Sequence, residues 1–162
     1  MDERRNVSEP TGVWSFALQI GFFAGLIWGA VKAGEMYFKF TKIPASFMAK
    51  PFLAPAFINT TAGFWMGWLM FIVFSIIAAL LYAALFRKVV GHWAGLAYGA
   101  VWWALIYLLV GPSTGMVKWI YRYDWNTIWT DICLFLLWGL FIGYSISFEF
   151  TDEREREPSI TN

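Results

Sequence analysis

The 162-residue chain is 59% hydrophobic and 21% aromatic, with 14% charged residues, a formal net charge of +1 and a mean hydropathy of +0.56. A soluble domain could not cover that much apolar surface with so few charges, and a near-neutral chain lacks the concentrated basic face that a nucleic-acid partner requires. One cysteine, Cys133, and one histidine, His92, exclude a disulfide framework within the chain, a multi-cysteine metal site and a bis-histidine haem, so neither metal nor cofactor is expected.

A bilayer core about 30 Å thick needs roughly 20 apolar residues of helix. Taken in chain order, four stretches meet that length or nearly so, and the chain reads as a single four-helix membrane domain. After a charged tail over residues 1–12, residues 13–31 carry no charge, with Gln19 the one strongly polar side chain. No small-residue cleavage site closes a short apolar core there, so a retained span is expected rather than a signal peptide. Residues 60–86 form the second span, with Asn59-Thr60-Thr61 as its start signal. Residues 93–110 form the third, stopped by Gly111-Pro112, and residues 131–148 the fourth, bracketed by Asp131 and Glu149. Residues 151–162 alternate in charge sign and read as a solvated tail.

Between the first two spans, Pro44, Pro51 and Pro55 break any helix, while Phe47, Phe52, Leu53 and Phe57 favour a segment lying in the membrane interface. Trp119, Tyr121, Tyr123, Trp125 and Trp129 in the third connection suit the headgroup layer, ring inward and polar edge toward water.

The segment Gly21-Phe-Phe-Ala-Gly25-Leu-Ile-Trp-Gly29-Ala-Val31 returns seventy positions later as Gly91-His-Trp-Ala-Gly95-Leu-Ala-Tyr-Gly99-Ala-Val101, with seven of eleven positions identical. The same offset pairs Trp68, Phe71, Ile72, Ser75 and Ile76 with Trp138, Phe141, Ile142, Ser145 and Ile146. An all-α membrane fold built from two parallel helical-hairpin repeats accounts for this, because a unit with two spans re-enters the membrane from the same side. Lipid is as apolar as leucine, so helices in it gain most from close backbone approach. Gly21, Gly25, Gly29, Gly63, Gly67, Gly91, Gly95, Gly99, Gly139 and Gly143 are accordingly expected to be helix-packing positions, within the bundle or as the seam of a homodimer.

Polar residues inside a membrane are the default place to look for function. Three make a candidate polar site: Asp131, Glu35 and Lys32. Lys32 and Glu35, three apart, read first as an ion pair at the membrane edge, screened by water and worth under about 1 kcal/mol. Asp131, after Thr130, reads first as a carboxylate at the positive start of the fourth helix, and second as a proton or cation site. His92 has no nucleophile partner, and no Walker, dinucleotide or zinc motif is present, so no catalytic residue is assigned.

Lys and Arg tie across the membrane. With both termini cytoplasmic, Arg4, Arg5, Arg87, Lys88, Arg154 and Arg156 lie inside, and Lys32, Lys39, Lys42, Lys50, Lys118 and Arg122 outside. The inner set is packed into short segments, where the positive-inside bias is strongest, and this favours both termini inside.

Trp28-Gly29 leading to Tyr37-Phe38, the Tyr98-Gly-Ala-Val-Trp102-Trp103 run, Gly111-Pro112, and the closing stretch from Leu136 to Pro158 resemble the YqhR family, small conserved membrane proteins of Bacillus-type bacteria. The resemblance covers essentially the whole chain and implies a multi-pass protein of the bacterial plasma membrane. It carries over no activity and no functional residues. Glycine faces, aromatic collars and absent chemistry fit best a non-enzymatic scaffold or accessory subunit, with the lipid bilayer and a second copy or another membrane protein as partners. A small transporter or channel for an ion or solute needs a polar path and comes second; a lipid-modifying enzyme needs convergent polar groups and comes third.

Overall fold

The computed structural model describes residues 12–86 and 92–156. Every regular element among them is helical, and four helical stretches are long and apolar enough to cross a membrane: Val13–Tyr37, Thr61–Phe86, Trp93–Thr114 and Trp125–Glu149. Helix α1 is Val13–Tyr37, the short α2 is Pro55–Ile58, and α3 is Thr61–Phe86. The third crossing begins as α4 (His92–Ala104), widens into a π-helical stretch (Leu105–Val110) and closes as α5 (Gly111–Thr114); α6 is Trp125–Arg156. The amino-terminal tail, Arg87-Lys88, Gly91 and the end of the carboxyl tail lie outside the described residues.

Local chemistry sets these boundaries. The Thr60 hydroxyl donates to the Phe57 carbonyl (2.6 Å) and accepts the Gly63 N–H (3.1 Å), which caps the start of α3. The third crossing was expected to stop at Gly111-Pro112, yet the helix continues through them. A proline ring crowds the carbonyl four residues back and offers no N–H, and the widened π turn immediately before it accommodates both defects.

α1 packs along α3, the third crossing packs along α6, and α6 joins the pairs by meeting α1 and, to a lesser extent, α3. Glycine makes this possible. A Cβ built on Gly21 would lie 2.5 Å from the Ile76 Cα, and one on Gly25 the same distance from the Ile72 Cα. In the other pair, Gly95 rests against Gly139, Leu140 and Gly143, and Gly99 against the Phe135 backbone. Gly63 and Gly67 instead admit the connecting segment, meeting Phe57–Ile58 and Ala45–Ser46. At each of these glycines the atom nearest to an added Cβ belongs to the chain's own backbone.

The two hairpins do not share one packing register. Gly29 is covered by the Trp68 indole, but Gly99 faces Phe135, whose counterpart at the seventy-residue offset is Trp65. Trp138, the counterpart of Trp68, turns into the centre instead. It is fully buried, stacks on Phe74 at 5.4 Å and donates Nε1–H to the Ser75 hydroxyl at 3.0 Å. Phe71, Tyr82, Phe135, Ile142 and Ile146 complete a solid apolar interior around it.

The segment expected to lie in the interface is drawn partly inside. Ala45–Ala49 forms a buried 3-10 turn, with the Phe47 ring 6.2 Å from that of Tyr107, while Phe52 stays 73% exposed.

Candidate functional site

The polar site is made by how α1 ends. Phe38 N–H bonds the Gly34 carbonyl, Lys39 N–H that of Met36 (3.1 Å) and Phe40 N–H that of Glu35 (2.8 Å), with Lys39 in the left-handed region at φ 60°. This is the Schellman closure, with lysine where glycine is usual. It reverses the chain, and Phe40 to Ile43 then lie along the start of α6. The Phe40 carbonyl accepts Asn126 Nδ2 (3.3 Å), Lys42 N–H bonds the Thr127 hydroxyl (3.2 Å), and Lys42 Nζ pairs with Asp124 at 3.1 Å. The hydrogen-bonded Lys42 ammonium holds the Asp124 carboxyl below the usual carboxylate range. Left-handed lysine is strained relative to glycine, so Lys39→Gly should raise stability by about 0.5–1 kcal/mol, read as a later thermal unfolding midpoint in detergent. An unchanged or earlier midpoint would contradict this account of the turn.

The turn delivers Thr41 to the interior. Lys32 Nζ ion-pairs with Asp131 Oδ1, and the Thr41 hydroxyl bridges them, accepting from Lys32 (3.4 Å) and donating to Asp131 Oδ2 (3.2 Å). Lys32 is 4% exposed and Asp131 0%. Glu35 Oε2 lies 3.7 Å from the same ammonium and is buried without a hydrogen bond. The Tyr107 hydroxyl, on the π-helical stretch, is buried beside Asp131 and within electrostatic reach of Glu35.

Lys32, Glu35 and Asp131 thus come together, but not as the sequence reading has them. α6 begins at Trp125 rather than near residue 131, so Asp131 lies well inside the helix and is not a cap at its start. Its partner is Lys32, 99 residues away, and the pair is shielded by protein rather than screened by water at the membrane edge. Thr41, Tyr107 and Thr127 were missed. The available signals were Asp124 as a helix-capping residue ahead of an apolar run, and Gly111-Pro112 as a distortion that re-aims Tyr107. Glu149 sits at the opposite end of α6, and the His92 side chain lies outside the described residues. Among the described residues, no group of three or more His, Cys, Asp or Glu side chains is arranged to hold a metal ion.

Comparison with known proteins agrees with a membrane protein. The family described as "Conserved membrane protein YqhR" matches residues 2–160. The chain belongs to the YqhR family. A relative, "Uncharacterized protein YqhR" of Bacillus subtilis (strain 168), is 34% identical over 132 residues, covering 82% of this chain and 74% of that protein. No solved structure matches. As a YqhR-family member with four membrane-length helices, the chain is a membrane protein whose surroundings are lipid.

Proposed function

We propose that this chain is a non-enzymatic scaffold or accessory subunit of the bacterial plasma membrane, with both termini on the cytoplasmic side and another membrane protein as its partner. One observation carries the reading: the charged cluster leads nowhere. Beyond it the interior is filled by Phe135, Trp138, Phe71, Tyr82, Ile142 and Ile146, and the charged side chains buried among the described residues, Lys32 and Asp131, both sit in the cluster. A transporter needs polar groups along a path; here a closed clasp gives way to a packed aromatic core. A lipid-modifying enzyme needs an accessible acid or base. The groove beside α6, about 530 Å³, is lined by rings and isoleucines such as Trp103, Tyr123 and Trp129 and by no charged side chain. The recurring segment is explained on this reading by duplication of one helical hairpin, whose copies then settled into different registers.

The test is gentle detergent extraction of the tagged full-length protein from its native membrane, paired with reconstitution into vesicles loaded with a pH-sensitive or a sodium-sensitive dye. A stoichiometric protein partner, together with vesicles no leakier to protons or sodium than empty ones, supports the reading. Repeated recovery of the chain alone, or specific flux, overturns it.

A further inference from the structure

Beyond any scaffolding role, the cluster has an unbalanced charge and an unsatisfied hydrogen-bond inventory. Lys32 and Asp131 cancel, and Asp131 is served twice, by the Lys32 ammonium and by the Thr41 hydroxyl. Glu35 has no comparable support. Its side chain is 13% exposed, its Oε2 is buried without a hydrogen bond, and its nearest cation, at 3.7 Å, lies closer to Asp131 and Thr41. Facing it are Lys32 on its own helix, Asp131 on α6, and Tyr107 on the π-helical stretch. Tyr107 is 4% exposed, and its hydroxyl lies beside Asp131, with Glu35 also in electrostatic reach. A second, largely buried carboxylate whose Oε2 receives no hydrogen bond is the costly arrangement, and a proton removes the cost.

We propose that the Lys32–Glu35–Asp131–Tyr107 cluster is a proton-binding site, with Glu35 carrying one exchangeable proton in the resting protein. The protonated carboxyl makes the cluster neutral and gives Glu35 a hydrogen of its own to donate. Losing the proton puts a second carboxylate in competition for Lys32. That draws the ammonium away from Asp131 and Thr41, the contacts that fasten the turn after α1 to α6. The site therefore couples pH to how firmly that turn is held.

Infrared difference spectroscopy on the full chain in lipid nanodiscs tests this. The wild type at neutral pH should show the carbonyl stretch of a protonated, weakly hydrogen-bonded carboxyl, fading as pH rises and moving to lower frequency when glutamate carries a carboxyl carbon-13. Glu35→Gln, which keeps the side chain's shape, should lack it, whereas Glu149→Gln should retain it. Absence of the band in the wild type, its survival in Glu35→Gln, or a shift with labelled aspartate instead of glutamate would overturn the assignment. So would its loss on exchanging choline chloride for sodium chloride at fixed pH, which would make the site one for a metal cation. The isotope measurement uses the unmutated protein, so a poorly folding variant does not leave the question open.

Discussion

Lys32→Met should destabilise the bundle by about 3–5 kcal/mol, the usual cost of removing one partner from a buried ion pair. Methionine nearly matches lysine in length and keeps the apolar stem packed, so the loss reports the charge rather than a cavity. Without the ammonium, Asp131 faces Glu35 and Tyr107 at 0% exposure and must take up a proton or admit water. Asp131→Asn should cost less, because Glu35 already stands 3.7 Å from Lys32 Nζ and can become its counter-ion. The double variant should lose less than the two single losses added together, since most of each is the penalty of one orphaned charge. Thermal unfolding in detergent, followed through the 11 tryptophans, measures all three. A Lys32→Met midpoint equal to wild type would mean that water reaches the pair. Strict additivity would mean that the two residues do not act on one another.

That ordering shows what the sequence could and could not say. The long apolar helices were legible because spanning length and lack of charge are properties of each segment alone. The three members of the polar cluster were legible as types, since charged residues inside apolar segments stand out. Their pairing was not. Lys32 and Glu35 sit one turn apart, so a local ion pair was the economical reading, whereas the actual partner arrives from a helix 99 residues away. Finding it required knowing that the chain reverses at Lys39, an unusual residue for a left-handed closure. The start of α6 was misplaced for a related reason. Asn126, Thr127 and Thr130 look like a polar loop, but Asn126 and Thr127 spend their hydrogen bonds on Phe40, Lys42 and Asp124. Polarity in this stretch marks contact with another part of the chain as well as with the surroundings.

The small-residue stripes present the opposite case. Their spacing is visible in the sequence, but spacing cannot say which backbone comes close. Here it is α3 that covers Gly21 and Gly25, and α6 that covers Gly95 and Gly99. Identical motifs can serve different registers because a glycine face is smooth and fixes no side-chain lock. The larger neighbours set the register, and the contrast between Trp68 over Gly29 and Trp138 inside the core is where the two hairpins part.

Gly139→Leu should therefore leave almost no folded protein, and even Gly139→Ala should cost about 1–3 kcal/mol. A Cβ at Gly139 would sit 2.5 Å from both the Cα and the N of Gly99, and one at Gly143 would sit 2.5 Å from the Gly95 Cα. These obstacles are backbone atoms, which cannot swing aside as a side-chain tip would, so the third crossing and α6 must separate along their length. Separation would also strip cover from the Trp138, Phe135 and Tyr107 rings that the seam encloses. Gly34 supplies the control, because a Cβ there meets nothing within 4 Å. Gly34→Ala should leave stability unchanged or raise it by up to about 1 kcal/mol, alanine being the better helix former. Midpoints of unfolding in detergent, with the yield of monodisperse protein as a second readout, separate the two sites. If Gly139→Ala and Gly34→Ala behaved alike, the close approach of these helices would not be what holds the second hairpin together, and its packing would have to rest on the aromatic core alone.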